Sequence, residues 1–153
     1  FGLDKFAHVL VNWDKYLAPR IVDHIPWTAH QAIYAVALLS GRRSTAVALR
    51  ASELGIREVH QGIDDKLLVF RKILKKHRLD AAAAGFMGDE LVDLPVLTRC
   101  GLACAPAEAP QPVRSRAHYV TRAAAGRGAV REVCDLVMRA KNALEPALRK
   151  YLA

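Results

Sequence analysis

Cysteine is scarce in this chain: three residues, Cys100, Cys104 and Cys134, in 153. An odd number gives no disulfide framework, and Cys100 and Cys104 have no second pair or matching histidines to complete a metal site, so buried thiols are expected. Aromatic residues are only 7% of the chain. None interleaves the densest basic run, Arg71-Lys72 with Lys75-Lys76-His77-Arg78, so the run lacks the stacking groups of a nucleic-acid surface and reads as the solvated end of a helix. No nucleic-acid partner is expected. Long apolar runs are also missing: none reaches a membrane span, so no membrane partner is expected. No basic-then-apolar leader with a cleavage site is recognised, which points to a cytoplasmic location. Acidic residues are outnumbered by basic ones, 15 to 23, and the resulting charge of +8 favours anionic partners.

What the chain has is hydrophobicity, at 52%, and a length that suits one domain with its own core. Short apolar runs alternate with helix-like segments. Strands are predicted over Ala7–Asn12, Ile33–Leu39, Glu58–Gln61, Ala82–Met87, Leu102–Ala105 and His118–Thr121. Helices are predicted over Arg43–Leu54, with Gly55 just past its end, and over Asp64–His77, Glu90–Arg99 and Ala129–Ala143. Pro95 falls in the first turns of the third of these, and Pro146 starts or breaks a last helix to Leu152. Ala105–Pro112 is a Pro-rich loop, and Lys15–Gln31 has no clean period. Alternating strands and helices imply an α/β fold with a mostly parallel sheet covered on both faces.

Four motifs sit where apolar runs end: Asn12-Trp13-Asp14, Ser40-Gly41-Arg42, Asp65-Lys66 and Gly88-Asp89-Glu90 with Asp93. Strand ends are where ligands bind in such folds. A hydroxyl followed by glycine after a buried strand offers an anion both an O–H and backbone N–H groups, and Arg42 adds a planar charged fork. The same Ser40 turn could simply satisfy local backbone. Lys66 at a helix start opposes the helix dipole, which an anion would relieve; pairing with a nearby aspartate would do so too. Asp89 and Glu90, with Asp93 a turn later, form a hard-oxygen cluster suited to Mg²⁺, or a capped helix start. Asn12 and Asp14 share one side of an extended backbone. Two carboxylates there would supply a nucleophile and a general acid/base, but only Asp14 is an acid.

Together these stretches resemble the haloacid dehalogenase superfamily, and within it the small, capless 3-deoxy-D-manno-octulosonate 8-phosphate phosphatases. The resemblance rests on Val36–Ser44 (VALLSGRRS), Leu54-Gly55-Ile56, Gln61–Leu68 (QGIDDKLL), Gly85–Leu97 (GFMGDELVDLPVL) and His118–Leu136 (HYVTRAAAGRGAVREVCDL). It covers roughly residues 33 to 140 and begins abruptly. It implies one domain over residues 1–153, with 126–153 as a C-terminal helix and tail. It also implies a Rossmann-like three-layer sandwich, Mg²⁺ dependence, a homotetramer, and an anionic sugar-phosphate substrate of lipopolysaccharide precursor synthesis. By position, Asn12 occupies the nucleophile site, Asp14 is the acid/base, and Ser40, Gly41 and Lys66 hold phosphate. Arg42 and Arg127 contact substrate, and Gly126–Arg131 approaches a neighbouring subunit's site. Asn12, Asp14 and Asp89 hold the metal, with Glu90 and Asp93 in support. Here the family pattern Asp-x-Asp-Gly-x-x-Thr becomes Asn12-Trp13-Asp14-Lys15-Tyr16-Leu17-Ala18. An amide cannot form the aspartyl-phosphate of that family. This favours, as the alternative to an active phosphatase, an anion-binding or assembly protein on the same fold.

Overall fold

The computed structural model describes residues 7–11 and 35–152. Six strands form one sheet: β1 (Ala7–Val11), β2 (Ala35–Ser40), β3 (Glu58–Gln61), β4 (Ala84–Met87), β5 (Leu102–Ala105) and β6 (Tyr119–Val120). Their spatial order is β3-β2-β1-β4-β5-β6. The pairs β2–β3, β4–β5 and β5–β6 are parallel, as the alternation of strand and helix requires. β1 differs, running antiparallel to both of its neighbours, β2 and β4. Its last residue, Val11, pairs with Ala35 and Ala84, at the amino ends of the flanking strands. The predicted Lys15–Gln31 segment lies outside the described residues.

The α-helices of the described residues are α1 (Thr45–Glu53), α2 (Lys66–His77), α3 (Leu94–Leu97) and α4 (Gln111–Arg114), which connect strands, and α5 (Ala129–Ala140) and α6 (Leu144–Leu152), which follow β6. Each boundary has a local cause. Ser44 caps α1 by accepting from Val47 N–H, and Gly55 follows the helix at φ +71°, a conformation that costs glycine little. Asp65 caps α2 by accepting from Leu68 N–H at 2.9 Å, and Lys75, Lys76 and His77 fill its last turn, where cations suit the dipole. α4 occupies the end of the predicted Pro-rich loop. Pro112 lies within its first turn, where the missing N–H costs no helical bond.

Two layers of helix cover the sheet. On one face, Phe70, Ile73 and Leu74 of α2 and Val96 and Leu97 of α3 pack on Ala37, Leu39, Phe86, Ala103 and Ala105. Phe70 and Phe86 meet edge to face, with centroids 6.5 Å apart. On the other face, Val47 and Ala51 of α1 meet Leu38, while Ala129, Val133 and Val137 of α5 meet Met87 and Cys104. The spacing of that α5 trio, every fourth residue, is the apolar stripe that buries one side of a helix. Alanine supplies much of the sheet surface, so backbones approach closely. At Gly101 an added Cβ would stand 1.9 Å from the Ala82 carbonyl oxygen. Replacing Gly101 by Ala is expected to cost about 3 kcal/mol, since rigid backbone must shift. A urea unfolding midpoint that falls with an unchanged slope would record it.

Candidate functional site

One row of paired residues crosses the whole sheet: Val59, Leu38, His8, Met87, Cys104 and Tyr119. Two residues further along the parallel strands come Gln61, Ser40, Asp89 and Thr121. The parallel strands therefore end together, and this edge gathers three of the four sequence motifs. Asn12 and Asp14 lie outside the described residues, and the strand that leads to them ends at Val11, at the opposite edge. A mostly parallel sheet was expected, and the antiparallel β1 is the departure from it.

Two loops interlock over β2 and β3. Ser40 is 5% exposed, its carbonyl accepts from Ile63 N–H at 3.1 Å, and its Oγ accepts from Arg42 N–H at 3.1 Å. The hydroxyl proton of Ser40 remains available to an anion. Gly41 N–H makes no hydrogen bond among the described residues, and the Arg42 side chain is exposed. Gln61 clamps the loop from the other side. Its Oε1 accepts from Ser44 N–H at 2.5 Å and its Nε2 donates to Ser44 O at 3.2 Å. Gly62, at φ +67°, lies against the Arg43 guanidinium, whose Nε would be 2.6 Å from a Cβ there. Sequence reasoning missed Gln61, Gly62 and Arg43. A Gln-Gly pair closing a strand was the available signal.

Lys66 begins α2 and is nearly buried, and its Nζ donates to Asp93 Oδ1 at 2.6 Å. Asp93 is fully buried. The partner is therefore an aspartate 27 residues away, not Asp64 or Asp65 next door. The second oxygen of Asp93, Oδ2, accepts from Asp89 N–H at 3.0 Å and Glu90 N–H at 3.1 Å. A local cap was one expectation for Asp89. Instead Glu90 occupies the N-cap position of a 3-10 turn, Leu91–Asp93, and Asp93 receives the backbone. Gly88 permits this wrap, because a Cβ there would lie 2.5 Å from Asp93 Cβ.

Asp89 is half-buried beside this pair. Burial, then the charges of Asp93 and Glu90, push its carboxyl up to about 6, against a pull downward from Lys66. Such crowded negative charge is what a divalent cation would relieve, so Asp89 fits as one oxygen ligand. Asp93 does not, since both oxygens are taken. Among the described residues no group of three His, Cys, Asp or Glu side chains assembles a metal site.

Arg127 lies on the loop after β6, between Gly126 at φ +71° and Gly128 at φ +103°. Its side chain is exposed. No helix among the described residues is long and apolar enough to cross a membrane.

Asp93→Asn should destabilise the fold by roughly 3 kcal/mol or more, because it strands the Lys66 charge in the interior. Chemical denaturation at neutral pH measures this. Asp89 should impose an opposite pH trend to that of ordinary paired carboxylates. Its folded-state value of about 6 exceeds the ordinary 3.8, so its contribution is fully present below pH 3.8 and lost as pH rises through about 6. Asp89→Asn, followed by urea midpoints across that window in chelator, should abolish that loss.

A family model described as haloacid dehalogenase-like hydrolase matches residues 16–133, beginning after Asn12 and Asp14. The chain is 43% identical over 112 residues to 3-deoxy-D-manno-octulosonate 8-phosphate phosphatases of Yersinia pestis and Escherichia coli K12, a stretch that is 73% of this chain and 60% of theirs. It thus spans about three fifths of the length of these curated relatives. Among solved structures, a probable YrbI-family phosphatase from Pseudomonas syringae superposes with TM-score 0.75 at 44% identity, covering 76% of this chain and 66% of that one. The 3-deoxy-D-manno-octulosonate 8-phosphate phosphatase of Moraxella catarrhalis, solved with magnesium, phosphate and the sugar acid, superposes with TM-score 0.71 at 26% identity, over 92% of this chain and 89% of that one. The parallel strand ends, the buried Lys66–Asp93 pair and these matches place the chain in the haloacid dehalogenase-like hydrolase family.

Proposed function

We propose that this protein is a Mg²⁺-dependent phosphomonoesterase that hydrolyses 3-deoxy-D-manno-octulosonate 8-phosphate to the free sugar acid and phosphate. The observation that carries the proposal is the convergence of Ser40, Lys66 and Asp89 on one edge of the sheet, in a chain similar to phosphatases of that substrate. The Ser40 hydroxyl, Gly41 N–H and the Lys66 ammonium would bind phosphoryl oxygens. Lys66 is suited to this because Asp93 fixes its Nζ at the site while leaving further protons to donate. Asp89 would hold the cation, with Glu90 and Asp93 shaping the loop around it. A bound Mg²⁺ would neutralise charge on the phosphoryl oxygens. Arg42 and Arg127 would contact the sugar acid, and Asp14 would serve as acid/base. Assembly as a homotetramer belongs to the same proposal.

A second reading has its own support. Asn12 offers an amide where the family reaction needs a carboxylate, and β1 ends at the edge away from Ser40. On that reading the pocket binds anionic sugar phosphates without turnover. Phosphate release from 3-deoxy-D-manno-octulosonate 8-phosphate in Mg²⁺ separates the two, with Asn12→Asp measured beside the unaltered chain. The phosphatase predicts turnover in the unaltered chain, and its loss in Asp89→Ala by about a hundredfold or more. Turnover only in Asn12→Asp means an intact site that lacks its nucleophile. Silence in both, with inorganic phosphate still bound, selects the binding protein.

A further inference from the structure

The loop from Thr121 to Gly128 leaves the sheet at the site edge and is held more firmly than its composition suggests. Thr121 is 2% exposed and its N–H donates to Ala105 O at 2.9 Å, carrying the β5–β6 ladder one residue past the strand. Gly88 N–H does the same for β4, donating to Cys104 O at 3.1 Å. The loop therefore starts level with the Asp89 loop, two strand spacings or ~10 Å away. Beyond that point Ala-Ala-Ala-Gly would have no intrinsic shape. Glu132 supplies one. From the first turn of α5, its carboxylate accepts from Tyr119 Oη at 2.7 Å, from Arg122 N–H at 3.0 and 3.1 Å, and from Ala123 N–H at 3.0 Å.

A second carboxylate holds the far end, where Glu108 Oε1 accepts from Ala125 N–H at 2.7 Å. Thr121 Oγ1 donates to Ala123 O at 2.6 Å, and Arg127 N–H to Ala124 O at 3.0 Å. Two acids, from α5 and from the segment after β5, thus hold one short loop in shape. The helix dipole alone would be served by an acid in the first turn of α5 pointing to solvent. Glu132 instead turns onto the loop backbone. What the loop carries is two exposed arginines, Arg122 and Arg127, the first of them within reach of the Glu132 charge. Ordering them in advance lowers the entropy that anion binding would otherwise cost.

We propose that Glu132 is a positioning residue for recognition of the substrate's carboxylate. It holds the 121–128 loop so that Arg122 and Arg127 receive the carboxylate end of a sugar acid whose phosphoryl group lies at Ser40 and Lys66. This rests on the phosphatase reading above and extends it to how the non-reacting end is bound. The full chain and Glu132→Gln are titrated in Mg²⁺, by calorimetry, with inorganic phosphate and separately with free 3-deoxy-D-manno-octulosonate. Trypsin cleavage after Arg122 and Arg127 reports the order of the loop. The expected result for Glu132→Gln is sugar-acid affinity about tenfold weaker or more, phosphate affinity unchanged, and faster cleavage after Arg127. Unchanged sugar-acid affinity overturns the proposal even if cleavage accelerates, because Glu132 would then order the loop for stability only. An unaltered chain that binds neither phosphate nor sugar acid overturns the phosphatase reading, and this proposal with it. Should Glu132→Gln fail to fold, Glu108→Gln releases the same loop from outside α5 and carries the same expected split between the two ligands.

Discussion

The buried pair of Lys66 and Asp93 is the contact on which the site edge depends. It joins the first turn of α2 to the 3-10 turn after β4, at the edge where the parallel strands end. Each charge would be costly in the interior without the other. Asp93 also receives the backbone of Asp89 and Glu90, so one carboxylate orients both the Lys66 ammonium and the loop that carries Asp89. Position and charge are thereby coupled. Moving Asp93 would alter where Lys66 sits and how readily Asp89 ionises.

Side chains that bind backbone play a second part that the motifs do not advertise. Gln61 clamps the backbone of Ser44, and Glu132 and Glu108 clamp the loop that bears Arg122 and Arg127. In each case a side chain from elsewhere in the chain satisfies backbone groups of a short loop. Loops without such partners would leave polar groups unpaired beside the core and would sample many shapes. The result is an edge in which both neutral and charged donors are set before any ligand arrives.

Much of the fold was legible in the chain. Glu58–Gln61 and Leu102–Ala105 form strands over the predicted residues and most other described elements differ at their ends, but α4 was not predicted, and the predicted Glu90–Arg99 helix is a 3-10 turn followed by the one-turn α3. Capping residues explain this: Ser44, Gly55 and Asp65 announce boundaries by chemistry local to a few residues. The family resemblance over roughly residues 33 to 140 names the same family as the match over residues 16–133. Ser40, Lys66 and Asp89 were legible as a group because strand ends in α/β folds collect ligand-binding residues. The partner of Lys66 was not, because 27 residues separate it from Asp93 and nothing in either local sequence names the other. Gln61, Glu108 and Glu132 were missed for a related reason: each acts on backbone, and backbone acceptors and donors leave no mark in composition.

By itself the sequence determined the alternation of strands and helices, the helix caps, the layered α/β class and the Ser40, Lys66 and Asp89 motifs at the ends of apolar runs. These follow from periodicity and short-range chemistry, which act over a few residues. Only the tertiary structure decided the direction of β1, the burial of Lys66 against Asp93, and the anchoring of the 121–128 loop. An apolar strand of five residues fits a sheet in either direction, since its side-chain alternation is the same both ways. Which way it runs, and which distant carboxylate meets which donor, is settled by how the remaining elements pack.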